Sequence, residues 1–444
     1  MMRYALVPLC LMLSAHAGAQ TAPTPVPSPL TLDAAIARAT EASHRLAELR
    51  ARQAASGAVA DQRVSAQKPT LTASAGYQRT NHVDEFGFQT ATGFRVIYPD
   101  IPDNLRTRVE LQWPIYTGGR LDALERAAKA ESAATALDLA AARGDLKLEV
   151  TRAFWALVTS REAARVVGEA LKRVDAQLGD VKSRFDAGFV PPNDVLTVET
   201  QRARQHFLLL EAQNQVLLAE AELARLVDAP DGASLTLDAA LDDAAGPVAA
   251  ATADVAALAG EARASRKDRA ALETRIQSAV EREAAAAAGR LPTVAIVSGA
   301  DYARPNPRLF PRQAAWKPSW DVGVNVSWNA WDGGRTKADL AETRALTTAI
   351  RERLAEYDTQ LSLEVRQRTI DLASARAQLE PARQEIVSAT EARRVVEERF
   401  TAGVATTTDL LDAQVALLQA ELDRTRALAA IKLALARLDR ALGR

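Results

Sequence analysis

From Arg120 to Ala187 the chain runs without proline, and Val167, Leu171, Val174, Leu178, Val181 and Phe185 follow at steps of 4, 3, 4, 3 and 4. That spacing is the apolar seam of a helix packed on other helices. Residues 335–402 carry a second seam at Ile386, Ala389, Arg393, Val396 and Phe400, interrupted by Arg393, with Pro381 expected to kink the helix. At about 1.5 Å per residue, 120–187 makes a rod of about 100 Å. The Ala-rich stretch 32–66 and the stretch 194–229 read as helices of about half that length, able to lie end to end beside it. The pattern changes abruptly in 69–116 and 292–331, which read as β-hairpins. Val322, Val324, Val326 and Trp328 alternate with Asp321, Gly323, Asn325 and Ser327. Val109, Leu111 and Trp113 alternate with Arg108, Glu110 and Gln112, and Leu71, Ala73, Ala75 and Tyr77 with Thr70, Thr72, Ser74 and Gly76. Val294 and Ile296 continue the apolar face, with weaker contrast because Ala295 and Val297 flank them.

The pattern occurs twice. Trp113-Pro114-Ile115-Tyr116-Thr117-Gly118-Gly119-Arg120 recurs 215 residues later as Trp328-Asn329-Ala330-Trp331-Asp332-Gly333-Gly334-Arg335. At the same offset Arg184-Phe185-Asp186-Ala187-Gly188 recurs as Arg399-Phe400-Thr401-Ala402-Gly403, and Asp194 and Leu196 fall on Asp409 and Leu411. Pro69-Thr70-Leu71 matches Pro292-Thr293-Val294 at an offset of 223, so the extra eight residues separate the strands of a hairpin, where loops tolerate insertion. The expected organisation is a signal segment 1–19, a first repeat 20–245 and a second repeat 246–444. The first repeat holds a helix, hairpin 69–116, long helix 120–187, a tip and helix 194–229. The second holds a helix, hairpin 292–331, long helix 335–402, a tip and helix 409–441. The Ala/Pro/Asp-rich stretch from Pro230 to Ala253 joins them.

Composition narrows the chemistry. Arg3, the apolar run Tyr4–Ala15 and Ala17-Gly18-Ala19 read as a cleaved secretory signal. A lipoprotein would need Cys10, but Leu9 precedes it where a small residue is expected and Cys10 sits inside the apolar run. Cys10 is the only cysteine, so the mature chain has no thiolate chemistry. The four histidines, His16, His44, His82 and His206, form no ligand pair, and no nucleophile elbow is present. Gly118-Gly119 and Gly333-Gly334 lack a Walker lysine and read as strand-to-helix breaks. No cofactor, metal or enzyme activity is expected. A formal charge of −1 leaves no nucleic-acid footprint.

No stretch after the signal is apolar enough for a membrane helix, so any membrane crossing uses strands. Alternation alone usually means a strand on an ordinary soluble core. Three features favour lipid: Trp113, Trp316, Trp320, Trp328 and Trp331, five of the six tryptophans, lie in these segments as an aromatic girdle places them; the opposite faces carry charge; and hairpins on such rods have no evident soluble partner layer. Four strands cannot close a barrel, and open edges are not tolerated in lipid. Strands must be pooled from several chains, twelve from three or a narrow eight from two, and periodicity does not choose.

In the doubled Gly-Gly-Arg, the doubled Arg-Phe-x-Ala-Gly, Asp194-Val195-Leu196 and Asp409-Leu410-Leu411-Asp412-Ala413, the sequence resembles the TolC-like outer-membrane factor family over essentially the whole mature chain. The resemblance implies a mainly α fold with membrane β. A long α-helical coiled-coil tunnel in the periplasm carries a β-barrel formed by a trimer, four strands from each protomer. A mixed middle domain would come from 230–260 and the chain end. The implied function is an outer-membrane exit channel of a tripartite efflux pump or type I secretion system. A periplasmic adaptor protein, an inner-membrane transporter and outer-membrane lipid are the implied partners. The adaptor-contact tips map to Gly188, Phe189, Val190 and to Gly403, Val404, Ala405, and the periplasmic aperture to Asp409, Asp412 and Asp194. Trp113, Trp320, Trp328 and Trp331 map to the barrel girdle. Asp409 reads equally as a helix cap with Thr406, whereas Asp412 sits deeper than a cap needs. Some relatives lock the entrance with an Arg in the second tip, where this chain has Ala405, and Pro191-Pro192 stiffens the first tip instead. The competing reading is a periplasmic coiled-coil scaffold or adaptor that never enters the membrane. Four strands per chain are too few for an ordinary porin.

Overall fold

The computed structural model describes residues 29–230, 232, 234–241 and 254–444. The signal segment 1–19, with Cys10, and most of the expected joint 230–253 lie outside the described residues. The fold is mostly helical. In the first half, α1 (Leu32–Ala42) and α2 (His44–Ser65) lead to β1 (Thr70–Arg79), β2 (Phe86–Thr90), β3 (Gly93–Tyr98) and β4 (Asp103–Tyr116). The long α3 (Arg120–Asp186) and α4 (Pro192–Leu226) follow. In the second half, α5 (Val255–Ser265) and α6 (Lys267–Ala287) lead to β5 (Thr293–Arg304) and β6 (Lys317–Ser327), then α7 (Arg335–Thr401) and α8 (Thr407–Leu442). α7 continues as one helix through Pro381, one ladder bond short because proline has no N–H to donate.

Two features differ from the sequence expectation. The stretch 32–66 is two helices, because Ser43 leaves the helical region (φ −63°, ψ 111°) and its side chain accepts from Leu46 N at 3.3 Å, starting α2 afresh. Arg266, at the 223-residue offset, has nearly the same backbone (φ −64°, ψ 119°) and divides α5 from α6. The expected hairpin 69–116 holds, between its two long strands, the small antiparallel pair β2–β3.

The chain divides into two compact units, which share the long helices. One unit holds α1, the part of α3 from Val150, α4, and the parts of α7 and α8 between Ile386 and Thr425. Its core packs Val174, Val181 and Val198 with Phe400, Leu410 and Leu411. Here Leu30 bridges to Leu237, donating to Thr236 O and accepting from Asp238 N.

The other unit holds α2, α5, α6, the sheets, the remaining part of each long helix and the chain end. Its main sheet has the order β1-β4-β5-β6, antiparallel throughout, so the two hairpins join side by side through β4 and β5. The register aligns Leu71, Leu111, Ser298 and Val322 in one row, and Ala73, Val109, Ala300 and Trp320 in the next. Between β4 and α3, and again between β6 and α7, two successive glycines take positive φ, Gly118 and Gly119 (65° and 80°) and Gly333 and Gly334 (68° and 91°). Asp332 caps α7 by accepting from Gly334 N and Thr336 N at 2.9 and 2.8 Å.

The joint at Arg266 also anchors the end of α8. Its nearly buried guanidinium donates to Asp268 at 2.7 Å and to Glu364 at 3.3 Å. It also reaches the Arg440 and Ala441 carbonyls at 3.3 and 3.5 Å. Both are last-turn carbonyls, and Arg440 O also accepts from Gly443 N at 3.1 Å. Burial pushes the Asp268 carboxyl up, but its bond to Arg266 and the charges of Arg266 and Arg440, among others, together outweigh this and hold it at about 2. Arg266→Ala is expected to destabilise the fold by about 2–4 kcal/mol, because it strands a carboxylate and the Ala441 carbonyl; thermal unfolding followed by circular dichroism checks this. The Asp268 contribution is complete at neutral pH and is lost as the pH falls from 3.8 towards about 2.

Candidate functional site

The ends of α3 and α7 build two tips of the same design. Gly188 (φ 78°) and Gly403 (φ 76°) supply the left-handed residue that ends each helix. Gly188 N donates to Phe185 O and Phe189 N to Arg184 O, both at 2.9 Å, while Gly403 N and Val404 N repeat the pair to Phe400 O and Arg399 O. Phe189 and Val404 are left 81% and 67% exposed at the turns, whereas Val190 and Ala405 pack onto the core beneath. Pro191 is extended (φ −77°, ψ 161°) and Pro192 opens α4, a position where a missing N–H costs nothing.

In the second tip Thr406 and Asp409 cap each other. Asp409 N donates to Thr406 Oγ1 at 3.1 Å, and Asp409 Oδ2 accepts from Thr406 N and Oγ1 at 2.8 Å. The Thr406 backbone and hydroxyl bonds hold the Asp409 carboxyl below its ordinary range, so it stays ionised while exposed. Asp412 is exposed one turn on. Asp194, half-buried, accepts from Thr407 Oγ1 at 3.0 Å, which ties the first tip to the second. Arg184 adds a second tie, lying 4.5 Å over the Phe400 ring and donating to Phe400 O at 3.1 Å. The expected tip and aperture residues thus come together at one end of this unit. Thr407 was not among them, because its repeat equivalent is Pro192 and the duplication does not mark it.

The same unit leaves an apolar seam of α4 uncovered. Leu196, Phe207, Leu210 and Leu217 lie at near-heptad spacing and are 47–63% exposed.

The sheet has two unlike faces. On one, Leu71, Trp320, Val322, Val324 and Val326 are each more than 60% exposed, an apolar surface larger than soluble proteins leave to water. Trp320 and Trp328 bracket it from the same side of the chain, eight residues apart, or roughly 26 Å along the strand. Trp113 and Trp331 are exposed as well, Trp331 at 86%. Trp328 Nε1 donates to Arg290 O at 3.1 Å, so its ring is held rather than loose. On the other face, Arg106 and Arg108 each meet Asp301 at 2.7 Å, and Arg108 also reaches Asp321 at 3.1 Å and Glu110 at 3.1 Å. The Arg108 guanidinium lies where a Cβ at position 299 would come within 2.4 Å, so Gly299 makes room for it. The alternation of charges is legible in the sequence, but these partnerships depend on the pairing of β4 with β5.

Among the described residues no group of three His, Cys, Asp or Glu side chains is placed to hold a metal ion, and no helix is long and apolar enough to cross a membrane. The family model "Outer membrane efflux protein" matches residues 35–228 and 258–444. No curated protein matches the chain by sequence. Among solved structures, a membrane protein from Pseudomonas aeruginosa is 19% identical with a TM-score of 0.77, over 93% of this chain and 92% of its own. The outer membrane protein VceC from Vibrio cholerae is 21% identical at 0.77, over 93% of this chain and 96% of its own. The MtrE outer membrane channel of Neisseria gonorrhoeae, in its open state, is 18% identical at 0.75, over 93% and 88%.

Gly403 has no neighbour within 4 Å of an added Cβ, so its requirement is conformational only. Gly403→Val is expected to cost about 1–2 kcal/mol and Gly403→Asn less, since Asn tolerates the left-handed region. Chemical denaturation of the three proteins measures the order, and equal midpoints would contradict it.

Proposed function

The chain belongs to the outer membrane efflux protein family, and we propose that it is one protomer of a homotrimeric channel carrying solutes passively from the periplasm to the exterior. The observation that carries this reading is the sheet, apolar and Trp-bracketed on one face and charged on the other. Such a sheet fits a barrel wall between lipid and a water-filled lumen. β1 and β6 are its edges. Three copies, β6 of each beside β1 of the next, give twelve strands and leave no backbone group unpaired in lipid. The uncovered seam of α4 suits helix packing between protomers in a periplasmic tunnel.

The two repeats each supply a hairpin to the barrel and a helical tip to the periplasmic end. At that end, three copies of Asp409 and Asp412 place two carboxylate levels at the entrance, with Asp194 held against Thr407 beside them. The tips Gly188–Val190 and Gly403–Ala405 meet a periplasmic adaptor, which couples the channel to an inner-membrane transporter in a tripartite efflux pump or a type I secretion system. The protein is a conduit, with no chemical step to perform. A periplasmic scaffold outside the membrane is the alternative, and it leaves the exposed apolar face without a partner.

Val324 lies midway between Trp320 and Trp328 on the apolar face, and Asn325 beside it points to the other. Val324→Arg is expected to cost about 2–4 kcal/mol at the bilayer midplane and to remove the protein from the outer-membrane fraction, while Asn325→Arg assembles normally. Equal recovery of both variants contradicts the lipid assignment. Replacing Asp409 and Asp412 together with Ala is expected to weaken channel block by divalent or polyvalent cations added on the tip side. Unchanged block in single-channel recordings sinks the aperture assignment.

A further inference from the structure

The loop between β5 and β6 folds onto the charged face of the sheet instead of extending away from it. On that face Asp301 and Ala303 are only 4% and 1% exposed, whereas β1 on the far side of β4 is exposed along its whole length. Pro305 and Asn306 are buried with them. Asn306 Nδ2 donates to Lys317 O and to Ser319 Oγ, both at 2.9 Å. Arg308 reaches Asp321 at 2.5 Å and lies 3.8 Å from Asp301. Further along, Arg312 donates to Asn104 Oδ1 at 3.3 Å and to Tyr98 Oη at 2.8 Å, with its guanidinium 5.2 Å over the Tyr98 ring. Ser319, Asp321, Asp301 and Asn104 share the parity of Arg106 and Arg108, opposite the exposed valines. Tyr98 belongs to the β2–β3 pair in the other loop, so Arg312 joins the two loops.

A cavity of about 520 Å³ confirms the direction of folding. Its walls include Gly76, Gln78, Asn104 and Arg106 from the charged face, together with Pro307 and Arg312 of the loop.

We propose that residues 305–316 form an inward-folded constriction at the external mouth, pinned to the lumen wall by Arg308 and Arg312, and that Arg308 with Asp321 supplies the charge a departing solute meets there. The inference rests on the exit-channel reading, because only in a barrel does the charged face line a lumen. Three such loops, one per protomer, narrow the mouth. Arg308 remains reachable from solvent, its side chain 38% exposed, so its charge acts on passing ions as well as on Asp321.

The test uses the full mature chain in planar bilayers under a potassium chloride gradient. Arg308→Gln removes one positive charge per protomer and one pin, and is expected to shift the reversal potential towards cation selectivity. Asp321→Asn is expected to shift it towards anions. Arg308→Ser with Arg312→Ser frees the loop, and its channels are expected to show a larger unitary conductance than the wild type. Arg308 sits in an exposed loop, so Arg308→Gln is decisive even if Asp321→Asn fails to assemble. Channels that open normally but keep the wild-type conductance and reversal potential in all variants overturn the constriction and leave the exit-channel reading standing. A wild-type protein that forms no channels overturns both.

Discussion

A backbone amide in hydrocarbon finds no water to bond, and each unpaired one costs several kcal/mol. Everything in the proposed assembly follows from that constraint. The sheet of one chain has a face suited to lipid but two open edges, so it cannot enter a bilayer alone. Closure needs other copies, and copies must meet in a fixed register. The lateral pairing of β4 with β5 already joins the hairpins of both repeats into one four-stranded segment, so each chain brings a preassembled third of the wall. The double glycines that follow β4 and β6 let each strand turn into a long helix within a few residues. The long helices α3 and α7 therefore begin directly beneath the sheet.

In the tips the physics is different. The tips lie in water, where turns are stabilised by their own caps and need no partner. Both close with the same two backbone bonds at a left-handed glycine, and both leave one bulky apolar residue, Phe189 or Val404, outside. Their stability is local, yet Thr407 with Asp194 and Arg184 with Phe400 link the two repeats across them. These ties are a neutral-donor hydrogen bond and a cation over a ring, each weaker than a buried ion pair. In the proposed channel, an entrance held by such contacts opens at modest cost.

Much of this was legible in the chain because the signals are local or doubled. The period-two valines before Trp328, the heptad steps from Val167 to Phe185 and the 215-residue echo of Gly-Gly-Arg each need only a short window. The helix break at Ser43 escaped notice since alanine-rich sequence flanks it and neither glycine nor proline marks it, although a serine three residues before Leu46 is an ordinary cap signal. Contacts set by register were out of reach. Arg108 could have paired with several carboxylates, and only the alignment of β4 on β5 and β6 selects Asp301 and Asp321. The β2–β3 pair does leave a short period-two signal, Phe86 and Phe88 before Gly93, and Phe94, Val96 and Tyr98 after it, whereas the irregular loop after β5 carries no periodicity to say which way it folds.

The central claim is that three copies close one wall in the outer membrane. Native mass of the mature protein, extracted by detergent from isolated outer membranes and corrected for bound detergent, tests it most directly. Three chain masses from that fraction are the expected result. A monomer or dimer recovered from the soluble periplasm contradicts the shared barrel and favours a scaffold.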